Sequence, residues 1–240
     1  HNKGISTADF WNKGVDWIFD TFFVYIKAFN TWLIVDVLQP MRALYLRMPA
    51  VATLVLAVGA GYLIGGVRSA LVVAGLTLFI ALSPWWDRAL VTLYMATFGV
   101  IVSCLIGFTV GTLCFQNKKS AAFMLGVCDI FQTFPSFVYL IPVMMLFGIT
   151  DTSVLIAVIV YATIPATRYT IEGLRSVPVG LHEAATMSGV NKFQRLTKIE
   201  FPLAFPHMML GLTQTIVFAL FMVIIGAFIG TEDLGQYILK

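Results

Sequence analysis

Glu183-Ala184-Ala185-Thr186-Met187-Ser188-Gly189 and, after nine further residues, Ile199-Glu200-Phe201-Pro202 lie in a polar interval between two long apolar segments. Leu181, Ala184, Ala185 and Ser188 recur at i, i+3, i+4 and i+7, a spacing that predicts a short helix with one face of mostly small residues. Such a face can nestle into a groove, and the Glu183 carboxylate can accept hydrogen bonds or pair with a base in that groove. The expected chemistry is docking. Gly189 suits a left-handed helix end. Asn191, with Gln194 three positions on, has the spacing of a capping box, and Pro202 is expected to open the next apolar segment. Together these residues predict a compact helix-turn-helix knob within 175–202.

The elements that must carry the knob follow from composition. With 59% hydrophobic and 11% charged residues, and a mean hydropathy of +0.90, the chain is far from a soluble domain, which is about a quarter charged. It reads as all-α and integral to a membrane. Six apolar runs, 49–66, 69–86, 89–115, 121–148, 152–174 and 203–229, approach or exceed the roughly 20 residues needed to cross. They are continuous, without the alternation of barrel strands. Pro135 and Pro142 each remove a helix hydrogen bond, so the fourth run is expected to bend or hinge there. Asp129 lies well inside that run and is expected to pair with Lys118, Lys119 or Arg168, since a bare carboxylate in lipid costs several kcal/mol.

Lys and Arg are retained on the cytoplasmic side. Arg68, Lys118, Lys119, Arg175, Lys192, Arg195 and Lys198 fall in alternate loops, which places the 175–202 loop inside and residues 1–47 outside. In 1–47, Phe10, Trp11, Trp17, Ile18, Phe22 and Phe23 recur at roughly helical spacing between charges. This predicts an amphipathic helix at the interface or packed on the spans. The rest, 48–240, forms one transmembrane domain. Cys104, Cys114 and Cys128 read as small apolar fillers, with no metal site, and His182 as a solvent or partner contact. Three G-x-x-x-G pairs, Gly61/Gly65, Gly107/Gly111 and Gly226/Gly230, permit close helix approach, chiefly within the chain. No G-x-x-x-x-G-K-[ST] phosphate loop occurs, so this chain is expected to bind no nucleotide itself. The net charge of +3 reflects the inside loops and implies no nucleic-acid partner.

The pattern E-A-A-x3-G-x9-I-x-F-P resembles the signature of the permease subunits of ATP-binding-cassette importers, with Phe201 where leucine is usual. The resemblance assigns Glu183, Ala184, Ala185, Gly189, Ile199 and Pro202 to coupling with a separate ATPase. It implies the type I importer permease fold with a cytoplasmic coupling helix, in the bacterial inner membrane. The implied partners are two copies of the ATPase, which bind the ATP and magnesium, a second permease chain in a homodimer, and a periplasmic binding protein.

The run Gln132-Thr133-Phe134-Pro135-Ser136-Phe137-Val138-Tyr139-Leu140-Ile141-Pro142, with Leu146-Phe147-Gly148-Ile149 and Asp233-Leu234-Gly235-Gln236, is similar to permeases of glycine betaine, proline betaine and choline importers. That branch implies a cargo such as glycine betaine, proline betaine, choline or trimethylamine N-oxide. Glu232 and Asp233 replace the small residues usual there and add two carboxylates. Related permeases continue into a further span, so one is expected beyond residue 240. A methylated nitrogen donates no hydrogen bond and is held by aromatic faces. Candidates for the pathway are Gln132, Thr133, Phe134, Phe137 and Tyr139, then Thr163 and Gln214. The alternatives are a methionine-type amino-acid importer and an ATPase-independent secondary transporter.

Overall fold

The computed structural model describes residues 21–226, the side chains of His182 and Thr186 excepted. Phe10, Trp11, Trp17, Ile18, Gly230 and the Glu232–Gln236 run lie outside the described residues. Eight helices organise the described chain: α1 (Thr21–Leu46), α2 (Ala50–Leu82), α3 (Trp86–Phe115), α4 (Lys118–Thr133), α5 (Phe137–Phe147), α6 (Asp151–Arg175), α7 (Val179–Met187) and α8 (Lys192–Gly226). By length and composition α1, α2, α3, α6 and α8 are candidate membrane spans, although α2 folds back on itself at its middle, and the bent pair α4–α5 passes the same test only when the two are taken together.

Helix α6 is the central post, flanked by α3 and α8. Its buried residues include the small Ala157, Ala162, Ala166, Thr167, Thr170 and Gly173. Facing them, α3 sets Gly99, Ser103, Gly107 and Gly111 at four-residue intervals, all buried. A Cβ at Gly107 would stand 2.4 Å from Ala166 Cβ, and one at Gly111 would stand 2.7 Å from Thr170 Cβ. The two backbones therefore touch, which is how helices associate where lipid tails remove the hydrophobic drive. Ser103 Oγ donates to the Ile159 carbonyl across the seam at 3.2 Å. On the other side of α6, Gly211 of α8 meets Tyr169 and Gly226 meets Val154. Gly107, Gly111 and Gly226 thus serve packing within the chain.

The structure refines four expectations. First, the runs 49–66 and 69–86 form two helical legs that meet at a break at Gly65 (φ −134°, ψ 16°) and Gly66 (φ 65°, ψ −159°). Residues twelve apart in a straight helix are about 18 Å apart, yet a Cβ on Gly61 would stand 3.0 Å from Val73 Cγ2. The element is therefore a hairpin. Each leg of about 15 residues reaches about 22 Å, short of a full hydrocarbon core.

Second, the fourth run bends at Pro135, as expected, and divides there into two helices. α4 and α5 meet at 92° across a break at 134–136. Pro135 drives the preceding residue out of helical geometry, and Phe134 accordingly has ψ 139°. Pro142 sits inside α5 without interrupting it.

Third, of the two alternatives for the N-terminal segment, residues 21–46 take the packed one. Leu33 and Leu38 are buried in the core with Val91, Tyr94 and Leu155. Asn30 Nδ2 donates to the Phe147 carbonyl at 3.3 Å, and Arg42 lies 3.9 Å from Asp151.

Fourth, the apolar segment that Pro202 opens is continuous with the helix before it. α8 begins ten residues earlier and runs through it, with a π turn at Leu196–Glu200 closed by Phe201 N–H on the Leu196 carbonyl. A proline inside a helix clashes with the carbonyl four residues back, and the wider turn just before Pro202 gives that carbonyl room.

Candidate functional site: a turn knob and a bent span

The knob is α7, a tight turn and the first turns of α8. Gly189 has φ +70°. Its left-handed conformation lets Ser188 N–H reach the Ala184 carbonyl at 3.0 Å and Val190 N–H reach the Ala185 carbonyl at 3.1 Å, so the last turn of α7 is closed. Directly after it, Asn191 Oδ1 accepts from Gln194 N–H at 2.8 Å and Gln194 Oε1 accepts from Asn191 N–H at 3.1 Å, the reciprocal bonds of a capping box. The small-residue face divides. Ala185 is buried, whereas Leu181, Glu183, Ala184 and Ser188 are exposed. Met187 is 90% and Phe193 72% exposed, so the knob presents apolar side chains around a carboxylate. Ile199 is half-buried in the π turn and Pro202 is exposed one turn on.

Beneath the knob, Arg195 Nε donates to Glu200 Oε1 at 2.9 Å, with Glu200 buried. These residues line a cavity of about 390 Å³ with Phe115, Gln116, Lys192, Phe193 and Leu196, which ties α8 to the α3–α4 turn. Arg195 and Glu200, five residues apart across a π turn, escape a reading based on the 3.6-residue period.

The second site is the bend. Gln132 and Thr133 end α4 and are exposed; Phe134 lies in the break, and Phe137 begins α5, both exposed. Arg168 of α6 binds Asp129 and Gln132 of α4 through Nη1, the latter at 3.0 Å, and Glu172 through Nε at 3.0 Å. Of the three expected bases, Arg168 is the partner of Asp129.

On α5, Tyr139 is buried and donates to the Phe131 carbonyl across the bend. Its ring stacks on Phe131 (5.8 Å between centroids) and lies against Tyr161 (5.4 Å), which stacks on Phe218 (4.7 Å). An aromatic ladder therefore joins α4, α5, α6 and α8. Gln214 is exposed one turn before Phe218. Thr163 stands apart from this group, its hydroxyl bonded to the Ile159 carbonyl of its own helix at 2.7 Å. Sequence reasoning missed Phe131, Tyr161 and Phe218. The signal for Tyr161 was its i, i+7, i+11 spacing with Arg168 and Glu172.

Residues 99–240 match the family described as "Binding-protein-dependent transport system inner membrane component". The chain is 89% identical over 240 residues to the trimethylamine N-oxide transport system permease protein TmoV of Pelagibacter ubique (strain HTCC1062), covering all of this chain and 34% of that protein. It is 46% identical over 207 residues to TmoV of Ruegeria pomeroyi, covering 86% of this chain and 31% of that one. It is 33% identical over 243 residues to the glycine betaine/proline betaine transport system permease protein ProW of Escherichia coli (strain K12), covering 100% of this chain and 68% of ProW. The chain thus spans about a third of the length of the TmoV proteins. The match over 99–240 contains both the knob and the bend, the described residues form multiple apolar helices, and the chain belongs to the inner-membrane permeases of binding-protein-dependent ABC importers.

Proposed function

We propose that this chain forms part of the translocation pathway of an ATP-driven importer of trimethylamine N-oxide. The observation that carries the reading is the 89% identity, over all 240 residues, to a trimethylamine N-oxide permease. Glycine betaine is the second cargo, supported by the likeness to ProW. The chain carries no catalysis of its own. Two copies of a cytoplasmic ATPase bind ATP and magnesium, a periplasmic protein delivers the cargo, and a second permease chain completes the pathway.

The knob is the coupling element. Its exposed apolar side chains and Glu183 suit a groove with an apolar floor and a basic rim, and the closed turn at Gly189 makes it a stiff lever. Lys118, Lys119, Arg175 and Lys192 lie at the ends of α4, α6 and α8 on the knob side, which supports placing that side in the cytoplasm. ATP-driven closure of the ATPases then biases the helices between two openings.

Uptake of labelled trimethylamine N-oxide by proteoliposomes holding permease, ATPase and binding protein tests this reading. ATP-dependent accumulation is expected. Accumulation of methionine with no methylated amine would move the chain to the amino-acid class, and uptake without ATP would make it a secondary transporter.

A further inference from the structure

Below the knob, one cavity of about 390 Å³ brings the end of α3 against the start of α8. Its lining divides in two. Gln116, Lys192, Arg195 and Glu200 are polar, whereas Phe115, Phe193 and Leu196 are apolar. The Arg195 side chain is 32% exposed and that of Glu200 only 2%, so a buried carboxylate anchors a guanidinium that reaches the surface. That anchor takes Nε. A guanidinium carries its N–H donors in a fixed fork, so the terminal nitrogens can serve a second acceptor. Lys192 is exposed and, among the described residues, stands in no ion pair. The cavity thus sets two cations against one carboxylate. Phe115 ends the 30-residue apolar helix α3, which places this charge at the rim of the hydrocarbon layer.

We propose that this cavity seats the phosphate of an anionic phospholipid head group. Basic pockets among membrane helices on the cytoplasmic side take such groups, and the knob side is the one read above as cytoplasmic. Arg195 donates to the phosphate oxygens through its terminal nitrogens while Nε stays on Glu200, and Lys192 adds a point charge. Gln116, which follows the last residue of α3, donates from its amide. The apolar half of the lining favours a lipid over a free phosphate. Phe115, Phe193 and Leu196 give the chains beside the head group a surface, and Phe193 is 72% exposed. A phosphate held from both sides ties the first turns of α8 to the end of α3 and braces the base of the knob. The site itself does not depend on what the chain transports; its effect on coupling rests on the importer reading above.

The test uses the permease–ATPase complex in phosphatidylcholine nanodiscs doped with a lipid that carries a photoreactive group beside its phosphate, either phosphatidylglycerol or phosphatidylcholine. After illumination, peptide mass spectrometry reads the label on Phe115, Gln116 and Phe193. In the wild type, phosphatidylglycerol should label these residues severalfold more than phosphatidylcholine. Lys192→Gln should lower that ratio about fivefold, which is about 1 kcal/mol, the worth of one basic residue at an anionic head group. Lys192→Arg should restore it. Lys198→Gln removes an exposed base of α8 that does not line the cavity, and should leave the ratio near wild type. Arg195→Gln would strand the buried Glu200 carboxylate, so the decision rests on Lys192. Soluble glycerol 3-phosphate, which has the phosphate without the chains, should not displace the label.

Equal labelling by the two lipids in the wild type overturns the inference. So does an equal loss in Lys192→Gln and Lys198→Gln, which is diffuse attraction to the surface and not a site. Displacement by glycerol 3-phosphate overturns the assignment to lipid and moves the cavity to a soluble phosphate ester. Labelling needs no cargo, and uptake by the complete importer separates the two readings. If the wild type imports trimethylamine N-oxide while both lipids label equally, only the lipid site falls. If labelling is selective and no methylated amine is imported, the importer reading falls and the site remains.

Discussion

Replacing Gly189 isolates how much the knob depends on one backbone conformation. The residue has φ +70°, and a Cβ built there meets no atom within 4 Å. Any effect of a small side chain therefore comes from the backbone and not from collision. An L-residue in the left-handed region costs about 1–2 kcal/mol, whereas asparagine tolerates it. If Gly189→Ala escapes that cost by leaving the conformation, the Val190 bond to the Ala185 carbonyl is lost and α7 swings relative to α8. An energy of 1–2 kcal/mol lowers the docking-competent population by a factor of about 5–30. The assay is ATPase activity of the reconstituted complex, with and without cargo-loaded binding protein. Gly189→Ala should lose most of the cargo-stimulated rate, Gly189→Val should lose more, and Gly189→Asn should stay near wild type. Equal rates for alanine and asparagine, whether both high or both low, would refute the conformational argument.

The other predictions concern the framework. Gly107→Leu drives a side chain into Ala166 and the backbone at Thr167, where a Cβ already stands 2.9 Å from the Thr167 nitrogen; it should cost about 3 kcal/mol or more and sharply reduce the yield of folded complex. Gly59→Leu, with nothing within 4 Å of its Cβ, should leave the yield unchanged in the same chromatographic comparison. Asn191→Ala removes half of the capping box and should lower stability by about 1 kcal/mol, read as a fall of a few degrees in the midpoint of thermal unfolding in nanodiscs. Tyr139→Phe keeps the ring ladder but deletes the hydrogen bond to Phe131 across the bend; an unfolding free energy reduced by about 1 kcal/mol, with cargo preference retained, is the expected result.

Much of this was legible in the residues, for identifiable reasons. The knob was readable because its parts are local. Gly189, Asn191 and Gln194 act over three or four positions, and turn and cap chemistry depends on little else. The bend at Pro135 was readable for the same reason, since proline constrains its own neighbour. The hairpin at Gly65–Gly66 was less so. Two apolar runs give the same pattern whether they cross the bilayer in full or fold back as half-length legs, and only the contact of Gly61 with Val73 separates these cases. The route of α8 through Pro202 was hidden because a π turn breaks the expected period, which also concealed the Arg195–Glu200 pair. The aromatic ladder joins residues from four helices, and no spacing within one helix announces partners on another. The share of α1 in the core depended on the same kind of distant contact, where Leu33 and Leu38 meet Val91 and Leu155.

The most direct test of the central claim is ATP-dependent uptake of trimethylamine N-oxide by proteoliposomes containing permease, ATPase and binding protein, compared between wild type and Glu183→Lys. Glu183 is exposed on α7 and bears no part of the packed core, so its reversal leaves the fold intact. The account predicts uptake by the wild type and its loss in Glu183→Lys, with both complexes assembled to the same yield of permease. Undiminished uptake by Glu183→Lys would contradict the claim that the carboxylate on this knob couples the permease to the ATPase.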